Sequence, residues 1–194
     1  TAEDPVIVGA TTAADGTYTV VVTDPGSGCS NTATTAATVN ANPTLNAANA
    51  GPYCAGETIQ LSATGSGGSA YSWTGPDGFS STAEDPTIAS ATTAMAGTYT
   101  VTLENTTTGC NTSATTDVTV NPQPDITAAN DGPVCAGEDL TLNATNISGG
   151  VDYAWSGPGF TSPIEDPVIT AATTAADGSY TIVVTDQVTG CTSS

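Results

Sequence analysis

Lysine, arginine and histidine are absent from these 194 residues, against 19 acidic residues and a formal net charge of -19. With no side-chain cation, no carboxylate finds an ion-pair partner, so stability rests on burial, backbone hydrogen bonds and disulfides. Releasing counter-ions from phosphate needs Lys or Arg, which excludes nucleic-acid binding. Attraction to anionic lipid is excluded on the same ground. The missing His, Lys and Arg also remove most triads, Schiff-base chemistry and phosphoryl clamps. Paired carboxylates remain able in principle to hydrolyse glycosides, but the recurring acids come once per repeat on turns, where no deep cleft is implied. No catalytic residue and no cofactor-binding residue is assigned, and an enzyme is not expected. No apolar run reaches the eighteen or so residues of a membrane span, so no membrane contact is expected in this stretch. No basic, apolar leader of the secretory kind occurs at the start. No C-x-x-C occurs and His is missing, which weakens a zinc reading.

What the chain does contain is a period of 81 residues. Glu3-Asp4-Pro5 returns as Glu84-Asp85-Pro86 and Glu165-Asp166-Pro167, Gly16-Thr17-Tyr18 as Gly97-Thr98-Tyr99 and Gly178-Ser179-Tyr180, and Cys29 as Cys110 and Cys191. A period long enough for each copy to own a core indicates an array of similar modules. Thr1 aligns with Thr82, and Ser194 follows the third of these cysteines closely. The expected division is therefore a truncated repeat over 1–40 carrying its C-terminal half, a complete repeat over 41–120, and a repeat over 121–194 lacking its last strand. Read this way the chain is a window on a longer repetitive polymer. The boundaries fall at Val39-Asn40-Ala41-Asn42-Pro43 and Val120-Asn121-Pro122-Gln123-Pro124. Linkers that short and proline-bearing predict end-to-end stacking with limited swing.

Period-2 alternation predicts strands at Thr58–Ala63, Asp139–Ala144, Tyr18–Thr23, Tyr99–Leu103, Tyr180–Val184 and Asp117–Val120. Gly and Pro clusters such as Asp24-Pro25-Gly26 and Gly75-Pro76-Asp77-Gly78 mark turns between them. Short strands with turn signals at such spacing predict an all-β fold of tandem antiparallel sandwiches. A helix over Ala171–Ala176 competes with a strand-to-strand crossover, and the crossover reads better.

The stretch Asn49-Ala50-Gly51-Pro52, Gly56-Glu57, Ile59, Leu61, Tyr71-Ser72-Trp73 and Gly97-Thr98-Tyr99-Thr100-Val101 resembles polycystic-kidney-disease (PKD) and bacterial Ig-like repeats. The cysteines in Val134-Cys135-Ala136-Gly137-Glu138 and Thr189-Gly190-Cys191 are similar to those of repeats in large secreted surface proteins, adhesins included, of Bacteroidetes-type bacteria. The resemblance implies Ig-like or PKD-like sandwiches arranged end to end. Two departures stand out. Trp73-Thr74-Gly75-Pro76-Asp77-Gly78-Phe79 replaces the acidic signature of many PKD modules. Tyr18-Thr19-Val20 stands where antibody-type domains place a cysteine, so their inter-sheet disulfide has no counterpart.

Each candidate site has a bland reading beside a functional one. Trp73 and Trp155 are read as the central core indole of each sandwich rather than a sugar-stacking platform. Tyr18, Tyr99 and Tyr180 follow a glycine at a strand start, as in a tyrosine corner, and are counted with the core. Glu3, Asp4, Glu84, Asp85, Glu165 and Asp166 are weak calcium candidates, since Ca²⁺ takes six to eight oxygens. A solvated, amide-capping turn is the preferred reading, and no cofactor is expected. Asn105, Asn111, Asn143 and Asn146 head N-x-S/T triplets, which arise easily by chance in such a composition. The lack of Lys excludes Lys–Asn isopeptide bonds and leaves disulfides as the covalent brace.

Cysteine arithmetic leaves two registers. Pairing within a repeat gives Cys54–Cys110 and Cys135–Cys191, with Cys29 joined to a partner outside the window. Pairing across a boundary gives Cys29–Cys54 and Cys110–Cys135, but must bridge most of a repeat's length. The first register is preferred, and closing such a loop is worth roughly 4 kcal/mol.

These features predict an extracellular, cell-surface structural segment: a disulfide-braced acidic rod within a bacterial fibre or giant adhesin. The alternative is a carbohydrate-binding or spacer module of a secreted multidomain enzyme. The partners are neighbouring repeats of the same polymer, with homopolymeric growth as one form. Strand exchange at the incomplete ends is less attractive than a continuous chain, because the front repeat lacks several strands and the rear one about one.

Overall fold

The computed structural model describes residues 3–146 and 149–194; the Asn146-Ile147-Ser148 triplet falls partly outside them. No α-helix occurs among the described residues, and none is long and apolar enough to cross a membrane. Two compact units are present. One comprises Thr1–Ala48, Leu61–Pro86 and Tyr99–Thr116, the other Asn49–Gln60, Thr87–Thr98 and Asp117–Ser194. The division runs through the 41–120 stretch, because Asn49–Gln60 hydrogen-bonds to Asp117–Asn121 and is covalently tied further on.

Strand β1 (Gly16–Thr23) and strand β2 (Ser30–Ala37) form an antiparallel hairpin, Gly16 opposite Ala37 through to Thr23 opposite Ser30. Every residue of both strands is exposed. The following strands are β3 (Thr44–Asn49), β4 (Tyr53–Cys54), β5 (Ile59–Ser66), β6 (Ala70–Thr74), β7 (Ser80–Ser81), β8 (Thr87–Ile88), β9 (Gly97–Glu104), β10 (Asn111–Val118) and β11 (Val120–Asn121). They make sheets of order β3-β5-β8 and β10-β9-β6-β7, with β11 lying parallel to β4. Alternation along β5 and β9 buries Ile59, Leu61, Ala63, Tyr99, Val101 and Leu103, as period-2 strands with one face inward require.

Strands β12 (Ile126–Asn130), β13 (Leu140–Asn146), β14 (Val151–Gly157), β15 (Phe160–Ser162), β16 (Val168–Ile169), β17 (Thr181–Asp186) and β18 (Thr192–Ser193) repeat the plan. Their sheets run β12-β13-β16 and β15-β14-β17-β18. Leu142 and Ala144 from the first meet Val151, Trp155, Ile182 and Val184 from the second in one apolar core. The Ala171–Ala176 stretch is a crossover whose only helical part is a 3-10 turn, Thr174–Ala176, with a matching turn at Thr93–Met95.

Candidate functional site

The recurring chemistry is carried by two turns, each holding one cysteine. In the first, Glu57 N donates to Cys54 O at 3.1 Å and the Glu57 carboxylate accepts from Cys54 N at 2.7 Å. Gly56, at φ 90°, adopts the left-handed region that a side chain resists, and its N–H donates to Ala91 O at 2.7 Å. The copy at Cys135 keeps the frame: Glu138 N donates to Cys135 O at 3.0 Å and Gly137 N to Ala172 O at 2.8 Å.

The second turn joins β17 to β18 and its counterparts. Asp186 Oδ1 accepts from Val188 N at 2.9 Å and Thr189 N at 2.7 Å, while Asp186 N donates to Cys191 O at 2.9 Å. Asn105 does the same with Thr107 N, Thr108 N and Cys110 O, and Asp24 with Gly26 N and Cys29 O. Such Asx turns supply their own amide acceptor, which is why Asp or Asn fits there. These bonds hold the Asp186 carboxyl below the usual carboxylate range, the Thr189 amide first and the Val188 amide next. The Ser27 hydroxyl, then the Gly26 amide, lower Asp24 likewise.

One disulfide joins the two kinds of turn. Cys54 and Cys191 are bonded at 2.00 Å with Cα atoms 5.6 Å apart, 137 residues distant in sequence. This corrects the pairing expected from the sequence: neither Cys54–Cys110 nor Cys135–Cys191 forms, and neither does Cys29–Cys54 or Cys110–Cys135. Cys29, Cys110 and Cys135 carry free thiols. The reason is positional. The Cys54 turn begins at β4, which pairs with β11 at the C-terminal linker of its repeat. Cys110 Sγ instead lies 3.8 Å from Asn40 O, at the N-terminal linker. The first cysteine of one repeat thus meets the last cysteine of the next.

Trp73 and Trp155 are 0% and 3% exposed, and their Nε1 groups donate to Glu84 O at 3.2 Å and Glu165 O at 2.9 Å. A buried indole offers no face to a sugar. Tyr18 Oη donates to Ala14 O at 2.7 Å and Tyr180 Oη to Ala176 O at 2.8 Å, the geometry of a tyrosine corner. Tyr18 is exposed rather than in a core, and so is every other residue of the hairpin β1–β2. Tyr99 is fully buried and meets Phe79 edge-on at 5.4 Å.

The Glu-Asp-Pro acids serve as acceptors. Asp85 Oδ1 takes Ala63 N at 3.0 Å, Asp166 Oδ1 takes Ala144 N at 2.8 Å, and Glu84 Oε1 takes Tyr71 Oη at 2.9 Å. Glu3 and Asp4 are exposed. Among the described residues no three acidic or thiol groups gather as metal ligands do. Of the glycan triplets, Asn105 spends its amide on Gly67 O at 2.8 Å, while Asn111 and Asn143 sit exposed on strands.

Sequence reasoning missed Tyr53. Its Oη accepts from Ala50 N at 2.9 Å and Gln60 N at 3.0 Å and donates to Gln60 O at 3.0 Å. Val134 replaces it in the next repeat, so no recurrence pointed to it. The Asx turns did recur, as Asp or Asn followed four residues later by Gly-Cys.

Residues 42–120 match the PKD domain. Among solved structures, the N-terminal eight Ig domains of Down Syndrome Cell Adhesion Molecule (DSCAM) are 19% identical over 88% of this chain and 29% of that one, with a TM-score of 0.51. Titin domains I67–I69 are 14% identical over 94% and 74%, TM-score 0.49. The three N-terminal domains of the bacteriophage RB49 Highly Immunogenic Outer Capsid protein are 23% identical over 78% and 56%, TM-score 0.37. The chain thus spans about half of that capsid protein fragment and less than a third of the DSCAM one. No curated protein matches it. At these identities the likeness bears on the fold alone. The chain is a tandem run of Ig-like β-sandwiches in which residues 42–120 match the PKD domain.

Proposed function

We propose that the chain is a structural repeat segment of an extracellular bacterial surface fibre or large adhesin, acting as a covalently braced acidic spacer. The observation that carries this reading is the Cys54–Cys191 bond, which ties two successive repeats rather than stapling one. A disulfide between repeats suits a job that transmits force along an array and suits an oxidising, extracytoplasmic setting. The other recurring residues support the same reading, since indoles, tyrosines and Glu-Asp-Pro acids are engaged in packing and backbone capping. Exposed carboxylates without any cation keep neighbouring chains apart and soluble. Immunogold labelling of intact source cells with antibody to this chain tests it: gold should decorate fibres outside the envelope. Label that appears only after permeabilisation would overturn the reading.

A further inference from the structure

In the middle repeat, which has a linker on either side, the sheet β10-β9-β6-β7 is bounded by β7, two residues long, and by β10, Asn111–Val118. The facing sheet is bounded by β8, also two residues long, and by β3, which Pro43 leads. Natural sheets blunt their edges by shortness, by proline or by charge, lysine above all. Strand β10 uses none of these devices over most of its length. It runs for eight residues, its Asn111-Thr112-Ser113-Ala114-Thr115-Thr116 holds neither proline nor charge, and the chain has no lysine at all.

What this edge offers follows from its inner partner. Asn105 N donates to Cys110 O at 2.9 Å, which marks that pair as hydrogen-bonded. Bonded and non-bonded pairs alternate along an antiparallel ladder. Thr112, Ala114 and Thr116 therefore aim their backbone groups at β9, while Asn111, Ser113 and Thr115 aim theirs outward. The Ser113 hydroxyl, 2.8 Å from Thr102 Oγ1, agrees with this register. Asp117 is the next residue of the outward series, and its carbonyl accepts from Asn49 Nδ2 at 2.9 Å. Asn111, Ser113 and Thr115 are exposed, and among the described residues no strand pairs on that side.

We propose that β10 pairs antiparallel with β10 of a second copy of this chain, about a two-fold axis at Ser113. In that register Ser113 faces Ser113 of the second copy and Asn111 faces its Thr115. Each outward N–H and C=O of the three residues then meets its complement, as in β-strand addition. The contact is isologous, the same patch on both copies. Charge selects the direction. Parallel pairing in register would set Asp117 beside its own copy, about 5 Å away on the adjacent strand. The antiparallel register keeps the two Asp117 residues eight positions apart along the edge, about 27 Å at 3.4 Å per residue. At 0.15 M salt the screening length is about 8 Å, so charges that far apart are screened, whereas a pair facing across the axis is not. The pairing is lateral and does not depend on where the chain is displayed.

Sedimentation velocity of the whole chain, its free thiols alkylated, tests this. A concentration-dependent dimer is expected at 0.15 M salt, several-fold weaker at 0.01 M, where screening reaches about 30 Å. Ser113→Asp and Ser113→Lys each set like charges opposite one another, and each alone should weaken the dimer several-fold. An equal mixture of the two should restore it, because opposite charges then face across the axis. Thr115→Pro removes an outward N–H and no inner bond, a place where an edge strand tolerates proline. It should keep the parent's circular dichroism and melting midpoint and lose the dimer. A parent chain that stays monomeric at 0.15 M salt, a dimer indifferent to both charges at position 113, or a mixture no stronger than its components would each overturn the proposal. None of these outcomes alters where the antibody labels cells, so the two readings fail separately.

Discussion

Tyr53 Oη bonds three backbone groups, Ala50 N, Gln60 N and Gln60 O. Tyr53→Phe removes that partner from part-buried groups, which costs about 1–3 kcal/mol. Thermal unfolding should move down accordingly, and an unchanged midpoint would show that water replaces the hydroxyl. Close approach explains a second residue. A Cβ built on Gly157 would fall on the Tyr180 ring, and one on Gly75 on the Tyr99 ring. Neither glycine has a positive φ, so the constraint is space and not backbone geometry. Gly157→Ala should destabilise the last sandwich by about 1–3 kcal/mol through overpacking. Calorimetry of the variant checks this, with a shift confined to the transition of the second unit.

The Asx turn is the element on which pH acts. Asp186 and Asp24 are held below their ordinary pKa by their own turns, and Asp131 by the Thr141 amide and hydroxyl. A carboxyl lowered by folding stabilises the fold above its unfolded value, about 3.9, and that contribution is lost as pH falls through the lower folded value. At the alkaline end, burial first and then Asp77 push Tyr99 up, while the Glu84 hydrogen bond raises Tyr71. These groups favour the fold below about pH 10 and cease to do so as pH rises beyond it. Melting temperature should therefore be flat between about pH 5 and pH 9, since the shifted carboxyls act at the acid end and the shifted tyrosines at the alkaline end. A marked inflection at neutral pH in the Cys29, Cys110 and Cys135 serine variant would contradict this. Much of this level was legible in sequence. The Tyr-led runs became β1, β9 and β17, and Thr58–Ala63 became β5 with a shifted start. Strand β2 and all of β10 but Asp117-Val118 were not, because Ser-Asn-Thr-Ala-Thr-Thr-Ala-Ala and its copy mix small and polar residues without an apolar face. The candidate site was half legible: the turns recur in sequence, whereas which turn meets which depends on how strands β4 and β11 bring repeats together.

At the scale of the molecule, the Cys54–Cys191 bond shields the chain between them from extension. Pulled from its ends, the oxidised chain should lengthen without releasing that stretch. Reduction should add roughly 450–490 Å of contour, 137 residues at 3.3–3.6 Å each. Single-molecule stretching with and without reductant checks it, and equal lengths would mean the bridge does not form. With a charge of -19 and no cation to offset it, copies repel one another at low ionic strength. Salt shortens the screening length to about 8 Å at 0.15 M, so light scattering should rise with added salt.

The same bond makes the covalent graph of the chain a ring with two tails instead of a line. A single hydrolytic nick anywhere in the ring, in a β-turn or in the linker at Pro122, opens the ring but parts nothing. Two cuts inside the ring release the piece between them, while the two tails stay joined through the disulfide itself. Loss of a segment from inside the ring therefore grows with the square of the cutting rate rather than in proportion to it, and the protection extends over a loop longer than one 81-residue repeat.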